Sequence, residues 1–119
     1  MKYMLLIYDH EKVWADMPQA EQGKLFGEYM RFTEDIKASG HYLSGAPLQP
    51  IATATSVRIR ADKQLVTDGP FAETQEQLGG YYRVEARDLN EAIRLAARIP
   101  SVTLGTIEVR PVMEIGAPA

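Results

Sequence analysis

The sequence predicts an α+β domain in which two β-α-β halves share one antiparallel sheet, with the helices on one face and a β-hairpin inserted between the halves. Three observations carry that expectation. Short apolar or alternating segments recur near Tyr3, Tyr42, Thr55, Gly80 and Thr106, as strands do. Two longer segments, Gln19 to Ser39 and Leu89 to Ala97, carry apolar residues at helical spacing. The 119 residues, 45% hydrophobic and 24% charged, are enough for one ordinary core and have globular composition. The expectation is therefore a single domain over residues 1–119.

Tyr3 to Tyr8 is nearly all apolar and too short for a stable helix, so it reads as a strand apolar on both faces. Asp9 to Pro18 reads as a polar loop holding Trp14 and Met17. Leu25, Tyr29, Phe32 and Ile36 fall on one side of a helix over Gln19 to Ser39, with Gly40 as its stop. Tyr42 to Leu48 is a second strand. Thr55 to Arg60 alternates, and Leu65 to Thr67 returns as its hairpin partner after a turn at Ala61 to Gln64. Asp68-Gly69-Pro70 breaks the chain. Gly80 to Ala86 alternates again, so Tyr81 and Tyr82 point to opposite faces.

The second helix has clear boundaries. Asp88 caps it, Glu91 stands three residues later, and Pro100 ends it. Its apolar stripe reads as Leu89, Ala92, Ile93, Ala96 and Ala97. Thr106 to Met113 is the last strand, and Pro111, lacking an N–H, places it at an edge. This order is that of the ferredoxin-like split β-α-β frame. Helices on one face leave the other sheet face bare, although the first strand is apolar on both sides. A second cover is needed, and a two-fold homodimer supplies it.

Several function classes are disfavoured. There is no cysteine, which removes disulfides, thiolate metal sites and a cysteine nucleophile and fits the cytoplasm. A net charge of −3 gives no basic footprint for nucleic acid. The longest apolar run, Met4 to Tyr8, cannot cross a bilayer, and Asp9 and Glu11 follow it too closely for a secretory leader. His10 and His41, the two histidines, do not make a structural zinc site within one chain. A carboxylate-assisted site shared across a dimer stays open. Gly79-Gly80 precedes a strand and lacks the Lys-Ser/Thr of a phosphate loop. No cofactor and no metal is expected.

Asp68 is the first candidate for chemistry. It reads either as a general base or hydrogen-bond acceptor at a pocket mouth, or as a turn former before Gly-Pro. Phe71, Tyr81 and Tyr82 read as pocket walls or as packing, and Tyr8 and Ser44 as pocket-edge residues. Two functions follow. One is a small-molecule enzyme or binder without metal, suited to proton abstraction, isomerisation or elimination on a cyclic or carbonyl compound. The other is a protein-interaction module using a surface patch around Trp14 and Met17.

The stretch Asp68-Gly-Pro-Phe-Ala-Glu-Thr-Gln-Glu-Gln-Leu-Gly-Gly-Tyr-Tyr82 resembles the signature of the DGPF branch of the YCII-related family. Lys2 to Tyr8, and Gly40 followed by Leu43-Ser-Gly-Ala-Pro-Leu48, match in order. The resemblance implies a dimeric α+β barrel, a bacterial origin, and an association with extracytoplasmic-function sigma factors that makes such a factor a candidate partner. Some relatives carry a histidine in the first helix and an aspartate before Pro-Phe, discussed as a His/Asp site. Asp68 is the counterpart of that aspartate. The helix here has no histidine, and Tyr29 lies near its expected place.

Overall fold

The computed structural model describes residues 1–70, 72 and 74–116. Strand β1 (Lys2–Asp9) leads into a short helix α1 (Glu11–Asp16) and the long helix α2 (Gln19–Ala38). Then come β2 (Tyr42–Pro47), a 3-10 turn at Ile51–Thr53, β3 (Thr55–Arg60), β4 (Lys63–Asp68) and β5 (Gln77–Glu85). Helix α3 (Leu89–Ala97), a second 3-10 turn at Pro100–Thr103 and β6 (Thr106–Pro111) complete the order. Four strands pair as β2-β5-β1-β6, all antiparallel. This is the ferredoxin-like arrangement, and β6, the strand ending in Pro111, is an edge as expected.

Both helices pack on one sheet face. Tyr3, Leu5 and Ile7 of β1 alternate into that face and meet Phe32 and Ile36 of α2 and Ala92, Leu95 and Ala96 of α3. Leu5 and Ile36 are fully buried, each contributing about 1.5–3 kcal/mol over exposure. Met4, Leu6 and Tyr8 point the other way and stay half-buried.

Helix α2 stops as the sequence indicates. Gly40 sits at φ 80°, its N–H reaches the Lys37 carbonyl, and the His41 N–H reaches Ile36 at 2.9 Å. That is a Schellman cap. Asp88 caps α3 by accepting from the Glu91 N–H at 2.9 Å. The Glu91 carboxylate reaches back one residue further than the cap, to the Arg87 N–H at 3.0 Å, and also meets His41 at 3.1 Å.

Four expectations are corrected. The polar loop after β1 contains helix α1, started by His10, whose Nδ1 accepts from the Lys12 N–H. The hairpin turn is tighter than Ala61 to Gln64: Ala61 and Asp62 alone turn the chain, with φ 51° and 63°, the signs of a type I′ turn. Strand β5 begins at Gln77, before Gly80, because Gly79 is the extra residue of a bulge against β1. The buried seam of α3 is Ala92, Leu95 and Ala96, while Leu89 and Ile93 are 50% and 48% exposed. The hairpin β3–β4 forms its own two-stranded sheet, and the molecule's extents are 51 × 47 × 18 Å.

Candidate functional site

A cleft of about 810 Å³ lies between α2, α1 and the β2–β5 edge of the sheet. Its floor is the end of β1. The alternation that buries Tyr3, Leu5 and Ile7 carries one residue further and buries Asp9, which is 8% exposed and lines the cleft. Two glycines hold that carboxylate. A Cβ on Gly79 would stand 3.3 Å from the Asp9 Oδ1, and one on Gly105 would stand 3.0 Å from its Cβ. The bulge at Gly79 thus makes room where an ordinary strand residue would press on the carboxylate.

Helix α1 forms one wall and brings Trp14 toward Asp9, near enough for the indole to favour the charged carboxylate. The helix is tied down on both sides. Gln22 of α2 donates to the carbonyls of Trp14 at 2.7 Å and Met17 at 3.1 Å. The Glu11 carboxylate accepts from the Ile51 N–H at 2.8 Å. Helix α2 supplies the opposite wall through Phe26, Tyr29, Met30 and Thr33. The Tyr29 hydroxyl is hydrogen-bonded to Ser101 of the second 3-10 turn. Thr33 bonds the Tyr82 hydroxyl at 2.7 Å. The Tyr82 ring packs edge-on against Phe32 at 5.3 Å and Tyr42 at 6.3 Å. Gly45 lets it do so, since a Cβ there would lie 2.9 Å from the Tyr82 ring.

The electrostatics follow from burial. Desolvation pushes the Asp9 carboxyl above its ordinary 3.8, helped by Glu11 and Glu76 and opposed by the Trp14 indole. Desolvation likewise pushes Tyr29 up to about 12, with the Asp9 charge adding and the Ser101 bond subtracting. Tyr82 is also raised, mainly by burial. The cleft therefore holds two neutral hydroxyls and a carboxylate readier than usual to take a proton. Among the described residues no three histidines, aspartates or glutamates gather as a metal site.

The sequence-predicted residues divide. Tyr81 and Tyr82 both line the cleft, Tyr82 from the buried face. Asp68 closes β4 on the exposed hairpin and is not part of the lining, because the hairpin forms a sheet of its own. Tyr8 alternates away from Ile7 and Asp9, onto the other sheet face, and Ser44 pairs with Arg83 on that same face. Phe71 lies outside the described residues. Trp14 is half-buried in the cleft wall and is not part of an open patch. Asp9 and Tyr29, which the sequence reading did not place in a pocket, both line the cleft. The signal for Asp9 was present in the sequence, since it shares the odd-numbered face of Tyr3, Leu5 and Ile7.

The fold and site together define a two-layer ferredoxin-like domain with a ligand-sized cleft beside a buried carboxylate. Comparison with known proteins gives the family. The model of the YCII-related domain matches residues 1–116, and the chain belongs to the YCII-related family. It is 32% identical over 113 residues to an uncharacterised protein of Rhizobium meliloti (strain 1021), which covers 93% of this chain and 91% of that protein.

Proposed function

We propose that the cleft between α2 and the β2–β5 edge is a small-molecule site and that Asp9 is its working carboxylate. The observation that supports this reading most is a carboxylate 8% exposed that nevertheless lines a cleft of about 810 Å³ with mostly aromatic and apolar walls. Ligand sites are of this size and composition, with few convergent polar groups. A buried carboxylate of raised pKa that faces a cavity is suited to anchor a donor or to accept a proton. The chemistry that fits is proton abstraction, isomerisation or elimination on a compact ring or carbonyl compound. The role first assigned to Asp68 thus passes to Asp9.

A thermal-shift screen of small metabolites on wild type, Asp9→Asn and Asp68→Asn tests the reading. A ligand that stabilises wild type and Asp68→Asn but not Asp9→Asn supports it. A ligand whose effect needs Asp68 and survives loss of Asp9 contradicts it. The alternative, a docking module for a sigma factor built on Trp14 and Met17, draws less support, because Trp14 walls the cleft.

We also infer that two chains pair through the sheet face that carries Met4, Leu6, Tyr8 and Ser44. That face is only half-covered in one chain, and among the described residues no helix packs on it. Face-to-face pairing of two such sheets gives the dimeric α+β barrel that the family resemblance implies.

A further inference from the structure

The Asp9 end of the cleft lacks a counter-charge. Asp9 and Glu11 line it, and Glu76 is near enough to push the Asp9 carboxyl upward. Among the described residues no lysine, arginine or histidine forms an ion pair with Asp9, and the neighbour that favours its charge is the neutral Trp14 indole. The basic residue in the lining is Lys37. It stands two turns beyond Tyr29 on α2, about 12 Å along the helix, with its ammonium over the Tyr42 ring at 5.0 Å. Glu34 lines the cleft one turn before it. Among the described residues, an anionic ligand entering the Asp9 end meets like charge.

The walls of the cleft are largely aromatic and apolar, with Phe26 and Met30 at its exposed rim. Trp14, Phe26, Tyr29 and Tyr82 present rings, and Met30 a thioether. Ring faces attract cations and repel anions. A carboxylate taken out of water is costly unless a donor or cation meets it. We propose that the ligand brings the missing charge: the cleft takes a protonated amine on an apolar, ring-sized body, with the ammonium against Asp9 and the body between Trp14, Phe26 and Met30. This rests on the reading of the cleft as a small-molecule site and names the class of its occupant. In the complex Asp9 is ionised and serves as the anchor. Glu11 adds a second, weaker attraction, since its carboxylate is already engaged by the Ile51 N–H.

Three probes of one shape separate charge from fit: tryptamine (cationic), tryptophol (neutral) and indole-3-propionate (anionic). Calorimetric titration of each into the wild type at neutral pH needs no mutant to be informative. The expected result is tryptamine bound at least about tenfold more tightly than tryptophol, a difference of roughly 1.4 kcal/mol, with indole-3-propionate weakest. Asp9→Asn removes that preference, so that tryptamine and tryptophol bind alike. Glu11→Gln reduces tryptamine binding by a smaller factor. If indole-3-propionate or tryptophol binds the wild type as tightly as tryptamine, the amine inference is overturned while the cleft reading stands. If none of the three binds, the amine inference is overturned, and the metabolite screen on Asp9→Asn decides the cleft reading separately.

Discussion

Asp9 is held against its own preference. The folded state raises its pKa above the ordinary 3.8, so folding favours the protonated form. The corresponding contribution to stability is present below the unfolded value and is lost as pH rises through the folded-state value. At neutral pH the charged Asp9 therefore subtracts from stability. Asp9→Asn keeps the size and shape of the side chain and removes the charge. It is predicted to unfold at higher urea concentration than wild type at pH 7, with the gap closing as pH falls toward 4. Urea titrations of both proteins across that range check this, and an Asn variant weaker than wild type at every pH contradicts it. A residue whose replacement stabilises the fold is one retained for another reason, in keeping with a binding role. Asp9 was legible in the sequence only through parity. Read as the first residue of a polar loop it looks solvated, whereas read as six steps on from Tyr3 along a strand, an even number, it falls on the buried face.

At the scale of elements, what was readable locally came out as read, and what depended on tertiary placement did not. The Schellman stop at Gly40 and the cap at Asp88 are satisfied by neighbours in sequence, so composition announces them. The stripe of α3 is different. Leu89, Ile93 and Ala97 and the neighbouring set Ala92, Leu95 and Ala96 both run at helical spacing, and only the angle of the helix on the sheet selects the second. This selection is measurable. Leu95→Ala is predicted to cost about 2–5 kcal/mol, as a buried leucine does. Ile93→Ala, at a site 48% exposed, is predicted to cost less than about 1 kcal/mol. Comparable losses for the two in chemical denaturation contradict the observed orientation. Helix α1 was invisible for a related reason. It has six residues and buries none of them, so no apolar period marks it, and it is fixed by Gln22 and Glu11 through contacts distant in sequence.

The whole molecule is flat and wide for its length. Its radius of gyration is 16.5 Å, against roughly 13.5 Å for a compact chain of this size. The hairpin accounts for part of this. Val57 and Val66 pair on one side of it, next to Ile59, and Val57 and Ile59 are more than 60% exposed. A two-stranded hairpin is marginal alone in water, and its apolar side suits a body that has a second copy beside it. With the half-covered face of Met4, Leu6 and Tyr8, this argues for the dimer at the molecular scale. Light scattering is predicted to give twice the 13.3 kDa chain mass, and Leu6→Arg, which places a charge in the centre of that face, is predicted to give the single-chain mass with its fold intact by circular dichroism. A wild type that scatters as one chain at micromolar concentration contradicts the pairing. The overall topology was legible because each strand and helix announces itself locally. The cleft was not, because it forms where β1, α1, α2 and the β2–β5 edge converge.

The account turns on Asp9 being a desolvated carboxylate kept in a cleft for a ligand. Carbon-detected NMR titration of the protein labelled at its aspartate carboxyls tests this most directly, with Asp9→Asn assigning the signal. The predicted result is an Asp9 carboxyl that titrates above the ordinary 3.8 in the free protein and moves down when tryptamine is added. An Asp9 that titrates at or below the ordinary value in the free protein and does not respond to the amine would contradict the account.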